Sequence, residues 1–268
     1  MTLPLSRNLP MRWIQFQMKL SRQFDRILPS VYSIDGNQDF RSFAWQYIRH
    51  SNVIWDVGGG KHPFVPLESK LAMELQVVGV DIDGEQVSLA PAGFYDDTVV
   101  ADIQRFHGPG CADVVVCQAL LEHVANVEYA LASLNSILRS GGTALIFVPS
   151  RTALFAQLNR LLPEALKKRL LFSLLPSSEA IGGFPAFYDR CTVAELREIA
   201  NRCGLDVVEQ RVYLQSSYFS VFAPLHIAWR CWQLLYRFLA GDQAAETMSF
   251  ALVKTRPAAI SSTVRGSV

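Results

Sequence analysis

The chain has 268 residues, half of them hydrophobic, and a formal net charge of +1. That length suits one large α/β domain, or a domain with sizeable insertions, and is ample for a buried core. The balanced charge lacks the basic signature of a nucleic-acid partner, and five scattered cysteines without a CxxC pair argue against a disulfide framework and a zinc site. Arg7, Arg12 and Lys19 interrupt the N-terminal apolar residues, so no signal-peptide core forms. No run approaches the roughly 20 uncharged apolar residues that span a bilayer. A cytoplasmic chain, soluble or peripheral to a membrane and without a metal cluster, is the expectation.

Residues 1–50 read as a helical extension, in which Trp13, Phe16, Leu20, Phe24 and Ile27 form an apolar face opposite Arg12, Lys19, Arg22 and Arg26. Val53 to Val57 is a strand that runs into the glycine turn Gly58-Gly59-Gly60. Helical character follows over Val65 to Leu75, then the apolar run Val77 to Val80 ending in Asp81, and a short helix from Glu85 to Leu89. Asp97 to Asp102 and Ala112 to Cys117 are the next strands. Val124 to Leu138 repeats apolar residues at helical spacing and stops at Arg139-Ser140-Gly141-Gly142, a basic last turn with a glycine stop. Thr143 to Val148 is the fifth strand. Continuous apolar strands alternating with helices indicate a parallel sheet covered on both faces.

Beyond Pro149 the spacing predicts helices over Arg151 to Leu162 and Glu164 to Leu175, separated by Pro163, then a loop with Pro176, Gly182, Gly183 and Pro185. Thr192 and Glu195 form a capping box for a helix that ends at Cys203-Gly204. Leu205 to Tyr213 is a sixth strand, Tyr218 to Ala240 a long apolar segment, and Thr247 to Thr255 the last strand. The tail after Pro257 has the small, polar composition of a disordered end. The expected division is a ligand-binding core at 51–150, the rest of the fold at 151–256 with insertions at 151–190 and 216–241, and a tail at 257–268.

A strand, a glycine turn and an acidic residue about 20 positions later suit either a dinucleotide or S-adenosylmethionine. In a dinucleotide fingerprint the third glycine would fall at Pro63, and the Asp56 charge would face phosphate. A carboxylate is better matched to the ammonium and sulfonium of S-adenosylmethionine. The motifs from Val53 to Val148 resemble, in order, those of the class I S-adenosylmethionine-dependent methyltransferases. They are Asp56 to Gly60, Val77 to Asp83, Ala101-Asp102-Ile103, Asp113 to Val124 with its Leu-Glu-His-Val ending, and Leu138 to Gly142. The core is similar to type 11/12 members and to the ubiquinone-pathway O-methyltransferases. The resemblance implies a Rossmann-like, seven-stranded, mostly parallel sheet with an antiparallel last strand.

The same resemblance implies the site. Asp81 would accept both ribose hydroxyls, Ile82 would pack on the adenine, and Asp102 with the Ile103 amide would read its edge. The backbone at Gly58, Gly60, Cys117 and Gln118 would hold the methionine end, with Asp56 organising the turn. His62 and Pro63 depart from the family's third glycine and imply a late helix start. His123 is the candidate base for a hydroxyl acceptor, or else orders its loop, and Tyr188 and Asp189 are candidates to close over the site. The resemblance favours an O-methyltransferase of a small or lipid-linked acceptor. Methylation at carbon or nitrogen, or a non-catalytic module of the same fold, are the alternatives.

Three segments outside the core are amphipathic. His226, Arg230, Gln233 and Arg237 make one narrow basic stripe in an otherwise apolar helix, the face described for Trp13 to Ile27 is a second, and Leu166, Leu170, Leu171 and Leu174 beside Lys167, Lys168 and Arg169 are a third. Such helices suit peripheral contact with a membrane, a substrate lid or the interface of a homodimer.

Overall fold

The computed structural model describes residues 9–161, 185–216 and 219–255. The helix expected at Glu164 to Leu175, its leucine face, the glycines of the following loop and the tail after Pro257 lie outside the described residues. Seven strands form one sheet: β1 (Val53–Val57), β2 (Gln76–Asp81), β3 (Asp97–Val100), β4 (Ala112–Gln118), β5 (Leu138–Pro149), β6 (Leu205–Tyr213) and β7 (Thr247–Lys254), in the order β3-β2-β1-β4-β5-β7-β6. The pairs β1–β2, β1–β4, β2–β3 and β4–β5 are parallel. Hydrogen bonds fix the sense of β7. Thr255, just past its end, donates to Gly204 at the start of β6, and Lys254 Nζ donates to Leu138 O at the start of β5. β7 therefore runs against both neighbours, and the sheet is Rossmann-like with an antiparallel last strand.

The valine-rich strands sit where their composition demands. β1, β2 and β4 are almost wholly buried, whereas the edge strand β3 is largely exposed. From β1 the order proceeds to β2 and β3 on one side, and from β4 to β5 on the other. The carboxyl ends of β1 and β4 thus flank the crevice where open α/β sheets take their ligands.

Helices α2 (Gly36–Ile48), α3 (Leu67–Ala72), α4 (Gly84–Ser88), α5 (Val127–Ile137) and α7 (Val193–Arg202) belong with this sheet. Asn126 caps α5 by accepting from the amides of Glu128 and Tyr129, and α7 starts at the capping box, Thr192 Oγ1 accepting the Glu195 amide and bonding its carboxylate at 2.6 Å. The stop at Arg139 to Gly142 differs from the sequence reading. α5 ends at Ile137, and β5 begins at once, with an irregular register between the pairs Ala112–Leu138 and Val114–Thr143. Gly141 supplies φ +75° there, and Arg139 pairs with Asp113, so these residues form a bulge in the strand.

A second unit contains α1 (Leu9–Asp25), α6 (Leu154–Leu161) and α8 (Ala223–Ala240). α1 packs along α8: Ser21 donates to Ser220 O at 2.9 Å, Gln17 Oε1 accepts the Ala223 amide at 3.0 Å, and Trp13 stacks on Phe222. The structure places most of the polar stripe of α8 on its inner side. His226, Arg230 and Gln233 are buried, and only Arg237 reaches the surface, where it pairs with Asp242. The opposing charge comes from Asp25 of α1, whose carboxylate takes Arg230 Nε at 2.8 Å and faces His226 Nε2 at 2.9 Å. Carbonyls of Leu214 and Tyr32 take the other guanidinium nitrogens, at 2.9 and 3.1 Å. A buried cation is tolerated when it is paired and fully hydrogen-bonded, and this one is.

Candidate active site

The glycine turn closes β1 by one short bond, Gly58 N–H to Val80 O at 2.7 Å. Gly58 and Gly60 hold φ of +81° and +49°, which side-chain-bearing residues rarely adopt. Gly59 is constrained by space instead. A Cβ there would stand 2.5 Å from Asp56 Oδ2 and 2.6 Å from the Tyr95 hydroxyl.

Asp56 is buried beneath this turn. Its Oδ2 accepts the Phe64 amide at 2.7 Å and the Tyr95 hydroxyl at 3.0 Å. Burial pushes its carboxyl up to about 6 against the effect of these two donors. The helix that would ordinarily follow the glycines begins only at Leu67, after Pro66. Asp56 ties the intervening segment down through Phe64, so it acts by positioning the turn. Tyr95 is a participant that the motif reading did not include. Its ring occupies the space over Gly79, where a Cβ would lie 2.8 Å from the ring. The signal for it was that glycine inside an otherwise valine-rich strand, a mark of close approach.

The two acidic residues after Asp56 stand at successive strand ends. Asp81 closes β2, is half-buried, and its Oδ1 accepts the Asp83 amide at 3.0 Å. Its Oδ2 lies 3.3 Å from the point where a Gly60 Cβ would stand, so the carboxylate faces the bare glycine backbone. Ile82 beside it is an exposed apolar side chain, 57% accessible. Asp102, just past β3, accepts the Gln104 amide at 2.9 Å, while Ile103 is buried. Gln104 in turn accepts the Asn126 amide at 2.8 Å, linking the Asp102 turn to the cap of α5.

At the end of β4, Cys117 is fully buried and burial pushes its thiol well above the ordinary range. Gln118 donates to Asn37 Oδ1 at 3.2 Å. Ala119 follows with φ +53°, its amide donating to Phe147 O at 2.8 Å, and Leu121–His123 forms a single 3-10 turn.

His123 lies on that turn with Nδ1 3.1 Å from the Pro185 carbonyl. A carbonyl can only accept, so Nδ1 carries the proton and a neutral ring keeps its lone pair on Nε2. Nε2 is 3.8 Å from Glu122. The Glu122 carbonyl accepts the amides of Phe187 and Tyr188, and its buried carboxyl is pushed up to about 7 by desolvation. Its Oε2 has no hydrogen-bond partner among the described residues. Tyr188 is buried, and Asp189 accepts the Val127 amide at 3.0 Å and pairs with Arg190, so Asp189 anchors the start of α5. His62 is exposed. Among the described residues no cluster of His, Cys, Asp and Glu could hold a metal.

The donor set fits S-adenosylmethionine. A Cβ-free turn stands at the end of β1 over the buried Asp56, carboxylates stand at the ends of β2 and β3, and none of these side chains is a cation suited to a pyrophosphate. Residues 26–210, over half of the chain, match the family model described as "Methyltransferase domain". The chain belongs to this family and is a class I S-adenosylmethionine-dependent methyltransferase, with S-adenosylmethionine as its cofactor.

A curated relative, the ubiquinone biosynthesis O-methyltransferase of Cupriavidus pinatubonensis, is 24% identical over 161 residues, 58% of this chain and 59% of that protein. The chain thus matches less than two thirds of that relative's length. Among solved structures, an S-adenosylmethionine-dependent methyltransferase from Archaeoglobus fulgidus aligns with a TM-score of 0.52 at 15% identity, covering 84% of this chain and 97% of that one. Another from Mesorhizobium loti aligns with the same TM-score at 14% identity, covering 83% and 99%. At that identity the likeness concerns the fold.

Proposed function

We propose that this chain transfers a methyl group to a hydroxyl of a small or lipid-linked acceptor in the cytoplasm, with His123 as the base. The observation that carries the cofactor half is Asp81, a carboxylate at the end of β2 that faces the side-chain-free backbone of Gly60. In this reading its two oxygens accept the ribose hydroxyls, Ile82 covers one adenine face, and Asp102 with the Ile103 amide meets the adenine edge. Backbone groups of Gly58, Gly60, Cys117 and Gln118 hold the methionine end. Bound there, S-adenosylmethionine supplies a methyl carbon activated by its sulfonium leaving group. The remaining work of the protein is to align an acceptor and exclude water.

A hydroxyl must also lose its proton, and the orientation of His123 supports that role. Nδ1 is engaged by Pro185, which presents Nε2 as the basic nitrogen. The name of the Cupriavidus relative, an O-methyltransferase of ubiquinone biosynthesis, agrees with an oxygen acceptor and with a lipid-linked one. In this reading residues 51–150 are the cofactor-binding core, and the helical additions around it serve the acceptor or a second copy of the chain.

Calorimetry with S-adenosylmethionine tests the site. Replacing Asp81 by Ala should weaken binding about a hundredfold, the loss of two hydrogen bonds to a charged acceptor. Unchanged affinity would remove Asp81 from the site. Methyl transfer to a panel of phenols tests the base: His123→Gln should lower kcat by a factor of about 10² or more without changing cofactor affinity. A variant with full kcat would leave His123 a structural role only.

A further inference from the structure

α8 is built inside out. Its buried face carries His226, Arg230 and Gln233, and no charged residue is exposed along its outer face, where Leu225, Trp232, Leu235, Phe238 and Leu239 meet solvent. Phe238 is 86% accessible and Trp232 53%. The neighbouring helix extends the same surface: Trp13 and Phe16 of α1 are more than half exposed, and Trp13 stacks on Phe222 at the start of α8. Single exposed apolar residues are ordinary, but a continuous set on two packed helices is not. Among the described residues none packs over Phe238, which is 86% accessible. The inner face of α8 is held by Asp25, Leu214 and Glu246, so polar residues outside would serve that packing equally well.

Charge identifies the partner. Arg12, Lys19 and Arg22 of α1 and Arg26 just past it are exposed, and the single acid of that helix, Asp25, is turned towards Arg230. Beside the apolar face, α1 therefore shows positive charge only. No helix among the described residues is long and apolar enough to cross a membrane. Trp232 and Tyr236, stacked with ring centres 5.9 Å apart, combine apolar rings with a polar tip, the composition found at membrane interfaces.

We propose that the α1–α8 face docks on an anionic lipid surface, its aromatic and leucine side chains entering the headgroup boundary while the α1 cations meet lipid phosphates. This goes beyond the choice of acceptor and does not depend on it. A second copy of the chain is the poorer match. A two-fold interface would press each cationic α1 against the same cations of its partner, whereas a bilayer offers hydrocarbon and anionic groups together.

Co-sedimentation of the full chain with phosphatidylcholine vesicles, with and without phosphatidylglycerol, tests this. The protein should pellet with the anionic vesicles and be released by raised salt. The double variant Trp232→Ser with Phe238→Ser should lower partitioning at least about tenfold, from lost apolar insertion. The triple variant Lys19→Glu, Arg22→Glu and Arg26→Glu should do the same, and both should keep wild-type melting and S-adenosylmethionine binding. Because the substituted side chains are exposed, an unfolded variant is not expected. Should one unfold, the salt dependence of the wild type and single substitutions at Phe238 decide. Absence of wild-type binding to anionic vesicles, or binding indifferent to both variants, overturns the proposal. A concentration-dependent dimer that the serine variant dissociates, without vesicle binding, would give the face to a second copy.

Discussion

Two regions of this protein bury carboxylates, and they do so by opposite means. In the helical unit, Asp25 meets Arg230 and His226 within 2.9 Å. Burial raises its proton affinity, but these hydrogen bonds and charges overcome that, and the carboxyl is held below its ordinary range. Beside the strand ends, Asp56 and Glu122 lie buried without a cation in contact, and desolvation pushes them up to about 6 and about 7. The first arrangement answers the Asp25 charge directly, although the same unit also holds Glu246, which burial pushes up to about 7 and whose Oε2 has no partner among the described residues. The second leaves proton affinity unspent next to the candidate site, which is where such shifts commonly gather. The contrast shows what each region is for: one fastens two helices together, and the other keeps polar groups poised near a ligand.

The strongest way to break the comparison is to open the closed network. Arg230→Ala leaves Asp25 a half-buried carboxylate with only His226 to answer it, removes a donor from Leu214 O and strands the carbonyl of Tyr32. Removing one partner of a buried pair costs about 3–5 kcal/mol. Urea denaturation should show that loss, with S-adenosylmethionine affinity per folded molecule unchanged. A loss below about 1 kcal/mol, the value of a surface ion pair, would mean that the network is not the fastening.

The same contrast decides what could be read from sequence. The inner strands bury both faces, so β1, β2, β4 and the second half of β5 read as apolar runs. The ends of β1 and β2 place Asp56 and Asp81 without any knowledge of the tertiary structure, while Asp102 follows the exposed edge strand β3. His226, Arg230 and Gln233 carry a periodicity that is equally clear, but periodicity does not say which side of a helix faces in. Hydrophobicity names the apolar side as the inner one. The structure reverses this because Asp25, about 200 residues away in the chain, supplies the missing charge. Tyr95 escaped for a related reason. Its partner Asp56 is 39 residues distant, and only the glycine at position 79 hinted that a ring lay above the strand. The bulge at Arg139 to Gly142 was misjudged because a glycine pair after a helix ordinarily stops the chain, whereas pairing with β4 resumes at once here.

A smaller effect sharpens the comparison through pH. Glu122 is raised to about 7 in the folded protein by burial, above the roughly 4.3 of an exposed glutamate. Between those values the folded state holds a proton that the unfolded chain has lost, so stability falls as pH rises and the contribution of the neutral acid is gone above about 7. Asp25 has the opposite sign: its folded value is depressed, so its contribution is present above the ordinary carboxylate range and is lost only as acid protonates it. Glu122→Gln keeps shape and hydrogen-bonding capacity but cannot ionise. It should leave stability nearly unchanged near pH 5 and raise it by on the order of 2 kcal/mol near pH 8 relative to wild type. Urea midpoints measured for both proteins would show the two curves diverging from about pH 4.3 to about pH 7 and running parallel above that. Curves parallel throughout would mean that Glu122 finds a partner the buried Oε2 lacks here, and the distinction between closed and poised carboxylates would then rest on Asp56 alone.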